Sequence, residues 1–387
     1  MSLVQHRRLP ALLLLALPLA VYVALYVLPI LSIGRLSVDN GTLGDRFVQS
    51  AAILVPEQPR DDRAAIALLS DLTAMTPNER AEAGRMLNQD VSGFRSLLIN
   101  TGKSVSDIEP SLKGLVAFDP RWHDDAYWDS LARNAAPWTT RHLKRALGLS
   151  EGSSGAAGDD VYVRILLRTL TVSAQVMLLS LLIGYPLAYA IANGGPWLRT
   201  SVLSAVLLSF WTSILVRTTA WVVLLQTNGL INKLLMSLDL ITEPLQLIFN
   251  RFGTVVAMTH VLLPFAILPI MNVMRQIPKA QVDASRSLGA GPVESFLRVY
   301  FPQTLRGVAV GAGTVFILAL GFYVTPALVG GPGDQMLAYY IADFMQKQLN
   351  WGMASTLSVL LILCVLLMLG FLWGVRRLFN PREREVR

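Results

Sequence analysis

Residues 283–290 read DASRSLGA and form a short polar stretch between two long apolar runs. Pro278 precedes the stretch, and proline suits the first turn of a helix because its missing N–H costs nothing there. Gly289 permits a backbone conformation closed to other residues. Pro292 then starts a second helix, whose first turn carries Glu294 where an acid favours the helix dipole. The pattern predicts two short helices joined by a turn at Gly289. An ordinary amphipathic loop between membrane helices is the alternative.

The composition is that of a membrane protein. Hydrophobic residues make up 53% of the chain and charged residues 15%, whereas a soluble domain is about a quarter charged. Six apolar stretches without Asp or Glu are each long enough, at about 1.5 Å per residue, to cross about 30 Å of hydrocarbon. They are residues 9–33, 165–192, 202–226, 254–274, 307–329 and 353–375. We therefore predict an all-α membrane protein with six transmembrane helices.

The first apolar stretch follows Arg7 and Arg8, so a cleaved signal peptide is an alternative to a membrane helix. Its apolar run is longer than the 7–15 residues of a signal core, and residues 29–31 are not a small-residue cleavage site. We interpret it as a retained helix.

The distribution of Lys and Arg predicts the orientation in the membrane. With the N-terminus inside, the short outer loops hold only Lys233, Arg251 and Lys347. The inner segments hold 13 basic residues: Arg7, Arg8, Arg199, Arg275, Lys279, Arg286, Arg298, Arg306, Arg376, Arg377, Arg382, Arg384 and Arg387. Both termini and the 283–302 segment are therefore expected in the cytoplasm. The formal charge of +7 reflects topology and indicates no nucleic-acid partner.

A long polar insertion separates the first two spans. Residues 35–160 carry helix signals, including a capping box from Thr76 to Glu79 and helical spacing of apolar residues over 124–134 and 139–149. Residues 150–160 (SEGSSGAAGDD) indicate a flexible tether. We expect a small helical extracytoplasmic domain between an N-terminal part (1–34) and a five-helix membrane core (161–387). The domain could dock a binding protein, brace a partner subunit or only fill space.

The chain contains no convincing enzyme motif. Residues 101–104 (TGKS) resemble the end of a phosphate-binding loop, but the glycine needed five positions before Gly102 is Leu97. Cys364 is the single cysteine, so no disulfide framework or cysteine-based metal cluster is expected. The four histidines are scattered. A process driven by a nucleotide would therefore need a separate chain to bind that nucleotide.

The 283–302 segment resembles the cytoplasmic EAA loop of permease subunits of binding-protein-dependent ABC importers. The residues that match or replace its pattern are Asp283, Ala284, Ser285, Gly289, Val299, Phe301 and Pro302, with Arg286 in the same turn. Asp283 stands for the family's Glu and Ser285 for its second Ala. The resemblance implies type I importer architecture, with residues 275–306 as the loop that couples the permease to an ATPase.

Further segments are similar to the spermidine/putrescine branch of these permeases. They are residues 184–189 (GYPLAY), 210–221 (FWTSILVRTTAW), 228–232 (NGLIN) and 263–265 (LPF). The resemblance covers about 165–379 and the first span, whereas the insertion is longer than the loop usual in the branch. It implies a bacterial inner-membrane subunit that works, among membrane lipids, with a second permease, a periplasmic binding protein and two ATPase subunits. The ATP and Mg²⁺ are then expected on the ATPase subunits and not on this chain.

The same resemblance suggests a small amine-bearing solute, with a polyamine favoured and an amino-acid-like amine as the alternative. Phe322 and Ala327 occupy positions where acids are expected in polyamine-selective members, so a cation would depend on aromatic faces or on acids of the partner permease. A secondary transporter working alone would need acids for coupling ions, which the spans lack. A sensor or anchor with a working extracytoplasmic domain is a further alternative.

Seven residues in the apolar runs are candidates for the transport path or for helix kinks. The path candidates are Trp211, Arg217, Trp221, Phe322 and Tyr323. Arg217 is a strong charge at membrane depth and could serve the path, bond to a neighbouring helix or reach toward the outer face. Pro186 and Pro264 each remove a helical hydrogen bond and indicate either a packing kink or a water-lined path. His260 is interpreted as a packing residue.

Overall fold

The computed structural model describes residues 16–56, 58–88, 90–136, 138–149 and 161–379. The basic start, the predicted tether at 150–160 and the tail after residue 379 lie outside the described residues. The chain divides into two compact units, residues 1–159 with 344–360 and residues 160–343 with 361–387. Residues 344–360, at the start of the last span, thus group with the insertion.

The first unit is helical. It contains the apolar helix α1 and eight shorter helices, α2 to α9. In chain order these are Ala16–Leu36, Gly41–Gly44, Val48–Ile53, Asp62–Ala74, Pro77–Leu87, Phe94–Lys103, Leu112–Phe118, Asp125–Ala135 and Arg141–Ala146. Single 3₁₀ turns cover Val105–Asp107 and Pro120–His123. The expectation of helices over 124–134 and 139–149 is met by α8 and by a shorter α9.

Polar caps explain where four of these helices begin, namely α4, α5, α7 and α8. The Thr76 side chain accepts a hydrogen bond from the Glu79 amide, and the Glu79 carboxylate accepts one from the Thr76 amide at 2.8 Å. This capping box is the one predicted from the sequence, with Pro77 in the first turn. Asp124 caps α8 with a single hydrogen bond, since its side chain accepts from the Ala126 amide.

Two tryptophans form the centre of the insertion. Trp122 and Trp128 are each 1% exposed, with ring centroids 5.1 Å apart. Buried indole N–H groups need acceptors, and both have one: Trp122 donates to the Thr101 hydroxyl at 3.0 Å and Trp128 to the Trp122 carbonyl at 2.9 Å. Thr101, part of the phosphate-loop lookalike, is thus fully buried in a helical core.

The second unit begins with a long helix and contains a loop of short helices. Helices α10 to α18 are Val161–Asn193, Pro196–Trp211, Ile214–Leu225, Leu230–Ser237, Arg251–Arg275, Lys279–Ser287, Pro292–Ser295, Phe301–Leu320 and Val324–Val329. A π-helical turn, Phe296–Tyr300, joins α16 to α17. The last two helices are α19 (Leu337–Gln346) and α20 (Trp351–Phe379). Each contains one boundary between the units, after Asp343 in α19 and after Leu360 in α20.

Helices α10, α14 and α17 pack against one another and form the core of the second unit. Two glycines of α17 allow the close approach. A Cβ at Gly307 would lie 3.0 Å from the Ile270 Cα, and one at Gly311 would lie 3.0 Å from the Ala266 carbonyl. This spacing of small residues is the one that lets membrane helices meet backbone to backbone.

Six described helices are long and apolar enough to cross a membrane, in agreement with the predicted all-α class. Two predicted boundaries are wrong. The span expected over 202–226 is broken, because Thr212 and Ser213 adopt extended conformations between α11 and α12 and the Thr212 hydroxyl bonds to the Ser209 carbonyl instead. The span expected over 307–329 lies in a continuous helical stretch that begins at Pro292 and ends at Leu320, where Gly321 terminates the helix before the separate α18.

Candidate functional site

The polar stretch forms a helix, a left-handed turn and a second helix start. Helix α15 begins after Pro278, which is its N-cap residue and therefore lies just outside the first turn. At the other end the Gly289 amide donates to the Arg286 carbonyl and the Ala290 amide to the Ser285 carbonyl, at 3.0 and 3.1 Å. With φ of +93° at Gly289, this is a Schellman ending, which favours glycine.

A small polar contact holds the two helices of the loop together. Pro292 is in the first turn of α16 and Glu294 follows it, as predicted. The Ser285 hydroxyl donates to the Val282 carbonyl at 2.7 Å and is also hydrogen-bonded to the Ser295 hydroxyl. Ser295 is 1% exposed. The serine that replaces the family's second alanine therefore has a partner in this loop.

The tip of the loop is exposed. Leu288 is 90% exposed, and Val293 on the second helix is 70% exposed. Asp283, Ala284, Arg286 and Gly289 are also exposed, whereas Val299 is half-buried in the π-helical turn and Pro302 is exposed at the start of α17. A projecting apolar tip with charged neighbours is typical of a protein–protein contact.

Aromatic rings at the end of α10 pack against the π-helical turn that follows α16. Tyr189 at the end of α10 makes edge-on ring contacts with Phe296 and Tyr300, at 6.1 and 5.6 Å between centroids. The Tyr300 hydroxyl accepts a hydrogen bond from Asn193 at 2.7 Å. These rings, with α15, line a cleft of about 850 Å³. These ring contacts were not predicted from the sequence, in which the aromatic spacing of Phe296, Tyr300 and Phe301 was the available signal.

The path candidates fall in different places. Arg217 on α12 donates from Nη1 to the Val261 carbonyl of α14 at 3.1 Å. The Trp221 ring, one turn further along α12, contacts the His260 ring at 5.7 Å between centroids. The structure thus brings Arg217, Trp221 and His260 to one interface of α12 and α14.

The remaining candidates do not join this interface. Trp211 is the last residue of α11 and is 86% exposed. Phe322 packs against the core cluster around α10 and α14, and Tyr323 precedes α18 with 44% of its surface exposed. Pro186 and Pro264 lie inside α10 and α14, which continue through them.

No group of three or more metal-ligating side chains occurs within the described ranges. Cys364 is a half-buried free thiol in the last helix.

Residues 158–385 match the family of inner membrane components of binding-protein-dependent transport systems. The chain belongs to this family, and it is a transport permease subunit of the ABC importer type rather than an enzyme. It is a multi-pass protein of the inner membrane.

Two curated relatives are similar to the permease part. The spermidine/putrescine permease PotB of Salmonella typhimurium is 27% identical over 228 residues, which cover 59% of this chain and 79% of PotB. The inner membrane ABC transporter permease YdcU of Escherichia coli is 31% identical, over 54% of this chain and 70% of YdcU. A chain of a bacterial ABC transporter for the acidic polysaccharide alginate aligns with a TM-score of 0.47 and 18% identity, over 62% of this chain and 83% of its own length.

Proposed function

We propose that this chain is one of two permeases in an ATP-driven importer, with two ATPase subunits and a periplasmic binding protein. The solute would cross at the interface between the permeases. The observation that carries the proposal is the 275–306 loop, whose projecting tip at Leu288 offers a rigid contact for an ATPase. A Schellman turn and a serine pair fix the shape of this tip, so a push from the ATPase would pass into α14 and α17.

The proposed orientation places both termini and the coupling loop in the cytoplasm. Support comes from the 13 basic residues of the inner segments against three in the short outer loops. The same orientation places the helical insertion outside, where it can meet a binding protein. Long loops cross regardless of their charge, so the arginines of the insertion are compatible with this arrangement.

The solute is proposed to be a small amine-bearing compound. Polyamines are the first candidate, because the similar PotB proteins are named as spermidine/putrescine permeases. An amino-acid-like amine is the second candidate, and a specific observation favours it: Arg217 places a positive charge within the membrane-spanning bundle, and positive charge repels a polyamine.

Copurification with uptake tests the proposed function. The tagged chain, solubilised in mild detergent from cells that carry the whole transport system, should retain an ATPase and a second permease. Uptake of labelled putrescine or of labelled amino acids should stop when ATP is depleted while the proton gradient is kept. Uptake that survives ATP depletion, with no ATPase bound to the purified chain, would instead identify a secondary transporter.

A further inference from the structure

The Arg217 guanidinium lies against the middle of α14, a helix long and apolar enough to cross a membrane. Its Nη1 donates to the carbonyl of Val261 in α14, a helix that runs from Arg251 to Arg275. At 1.5 Å per residue, Val261 is about 15 Å from the first residue of α14 and about 21 Å from the last. The hydrogen bond therefore holds the charge deep in the bundle, not at a membrane surface.

This charge has no acid to balance it in the surrounding helices. Helix α12, which carries Arg217, and the helices packed against it, α13, α14 and α18, contain neither Asp nor Glu. An arginine stays protonated in proteins, and a charged side chain at the centre of a bilayer is costly unless it meets a partner or a water-filled path. Since Arg217 is only half-buried in this chain, part of it remains available to such a partner.

Two nitrogens at this interface lack a partner within the described residues. They are Nε of Arg217 and Nδ1 of His260, both buried. His260 adjoins Val261, the residue that holds Arg217, and its ring packs against Trp221. A guanidinium with a free edge, beside an imidazole, is suited to the planar, two-oxygen geometry of a carboxylate.

We propose that Arg217, with His260 beside it, binds a carboxylate of the solute as the solute crosses the membrane. This inference rests on the proposed importer function and narrows its substrate class. The solute is then an amine that also carries a carboxylate, and a polyamine is disfavoured. The ammonium end of such a solute can use aromatic faces, of which Trp221 lies at the same interface.

The test compares solutes that differ by one carboxylate. Labelled putrescine and 4-aminobutanoate form one pair, and cadaverine and lysine form another. ATP-dependent uptake is measured in cells that carry the complete transport system, with wild type, Arg217→Gln, Arg217→Lys and His260→Gln at equal membrane levels. Arg199→Gln, an exposed arginine near the start of α11, is the matched control for loss of one positive charge.

We expect wild type to take up a carboxylate-bearing member, and Arg217→Gln to lower that uptake by roughly 10- to 100-fold, the range that one charge-assisted hydrogen bond provides. Arg217→Lys should retain part of the uptake, because lysine keeps the positive charge but lacks the two parallel N–H donors of the guanidinium. His260→Gln should give a smaller loss. Arg199→Gln should behave as wild type.

Three results would overturn the inference. The first is ATP-dependent uptake confined to putrescine and cadaverine, which would leave the proposed importer function intact. The second is unchanged uptake of the carboxylate-bearing solute in Arg217→Gln. The third is loss of the second permease from purified Arg217→Gln, since the carboxylate would then belong to that subunit. A wild type that takes up none of the four with ATP would contradict the proposed amine importer itself, and the inference with it.

Discussion

The hydroxyls of Ser285 and Ser295 are hydrogen-bonded to each other across the turn of the polar loop. The contact joins α15 to α16 and uses the residue that departs from the family pattern. Ser295 has a second, longer contact to the Val282 carbonyl at 3.4 Å. The hydroxyl that Ser285 adds at the position of the family's alanine therefore has hydrogen-bonding partners within the loop.

A double-mutant cycle measures this contact. Ser285→Ala leaves the Ser295 hydroxyl, which is 1% exposed, without its closest partner, so each single change should destabilise the loop by about 1 kcal/mol. Ser285→Ala with Ser295→Ala should cost less than the sum of the two. Hydrogen exchange of residues 279–295 reports the stability of the loop. Strictly additive losses would show that the two hydroxyls do not depend on each other.

The turn at Gly289 is expected to be essential for coupling. A Cβ at this position meets no atom within 4 Å, so the strain of a substitution comes from the φ of +93° alone. Gly289→Val should abolish most uptake without lowering the membrane level, because a β-branched residue resists this conformation. Gly289→Asn is the matched control, since asparagine tolerates positive φ better. Equal uptake by both variants would separate the turn from coupling.

A reversal of charge at the exposed Asp283 should weaken binding of the ATPase. Asp283→Lys places a second positive charge in the turn that already carries Arg286, and we expect the amount of copurified ATPase to fall several-fold, with a stronger effect at low salt. Asp283→Glu, which restores the family residue, is the control. If both variants retain the same amount of ATPase, Asp283 is outside the contact.

The glycines of α17 are expected to set the spacing between α17 and α14. Gly311→Leu should lower the yield of folded protein and the thermal stability by several degrees, because its side chain would overlap the Ala266 backbone. Gly313→Ala lies on the same helix, where a Cβ meets nothing within 4 Å. It should be neutral in the same thermal unfolding measurement. Both substitutions raise helix propensity, so a similar loss in Gly313→Ala would show that close packing at Gly311 is not the cause.

The insertion should lose stability in mild acid because of His142. Burial, together with the nearby charge of Arg141, lowers the pKa of His142 from 6.5 to about 4. Between these pH values the unfolded chain binds a proton that the folded chain does not, so stability is full above about pH 6.5 and falls toward pH 4. The loss is on the order of 3 kcal/mol.

Thermal unfolding of the solubilised chain between pH 7 and 4.5 measures this effect. Asp90, which opposes the shift, and Arg145 also act on His142, and other acids titrate in the same range. The informative quantity is therefore the difference from His142→Gln, in which this part of the pH dependence should disappear. Identical pH profiles for both proteins would show that His142 is already accessible to protons in the folded chain.

The sequence predicted well wherever a local rule applies. The Thr76 capping box, the turn at Gly289 and the start at Pro292 each depend on neighbouring residues, and each occurs as expected. The number of apolar helices also follows from the number of long apolar stretches. A segment that crosses hydrocarbon must satisfy its own backbone hydrogen bonds, and a helix does so within one segment. The placement of Pro278 differs by a single position.

The sequence predicted less where distant residues decide the outcome. The helix break at Thr212 could not be predicted from a neighbouring proline or glycine, because none is present, and apolar side chains continue on both sides. The bond from Arg217 to Val261 joins residues 44 positions apart, so no local pattern contains it. The Gly307–Gly311 spacing was visible, but its meaning depends on the backbone of α14 that it faces.

The joint between the insertion and residues 344–360 limits how this protein can be engineered or can diverge. The Thr356 hydroxyl donates to the Ser37 carbonyl, and a Cβ at Gly352 would lie 2.6 Å from the His142 ring. A chimera that replaces the insertion by a short loop would remove the Ser37 carbonyl that accepts from Thr356 and the His142 ring that lies against Gly352. The insertion and residues 344–360 are therefore expected to be inherited together. An exchange between related proteins would have to replace both stretches of chain at once.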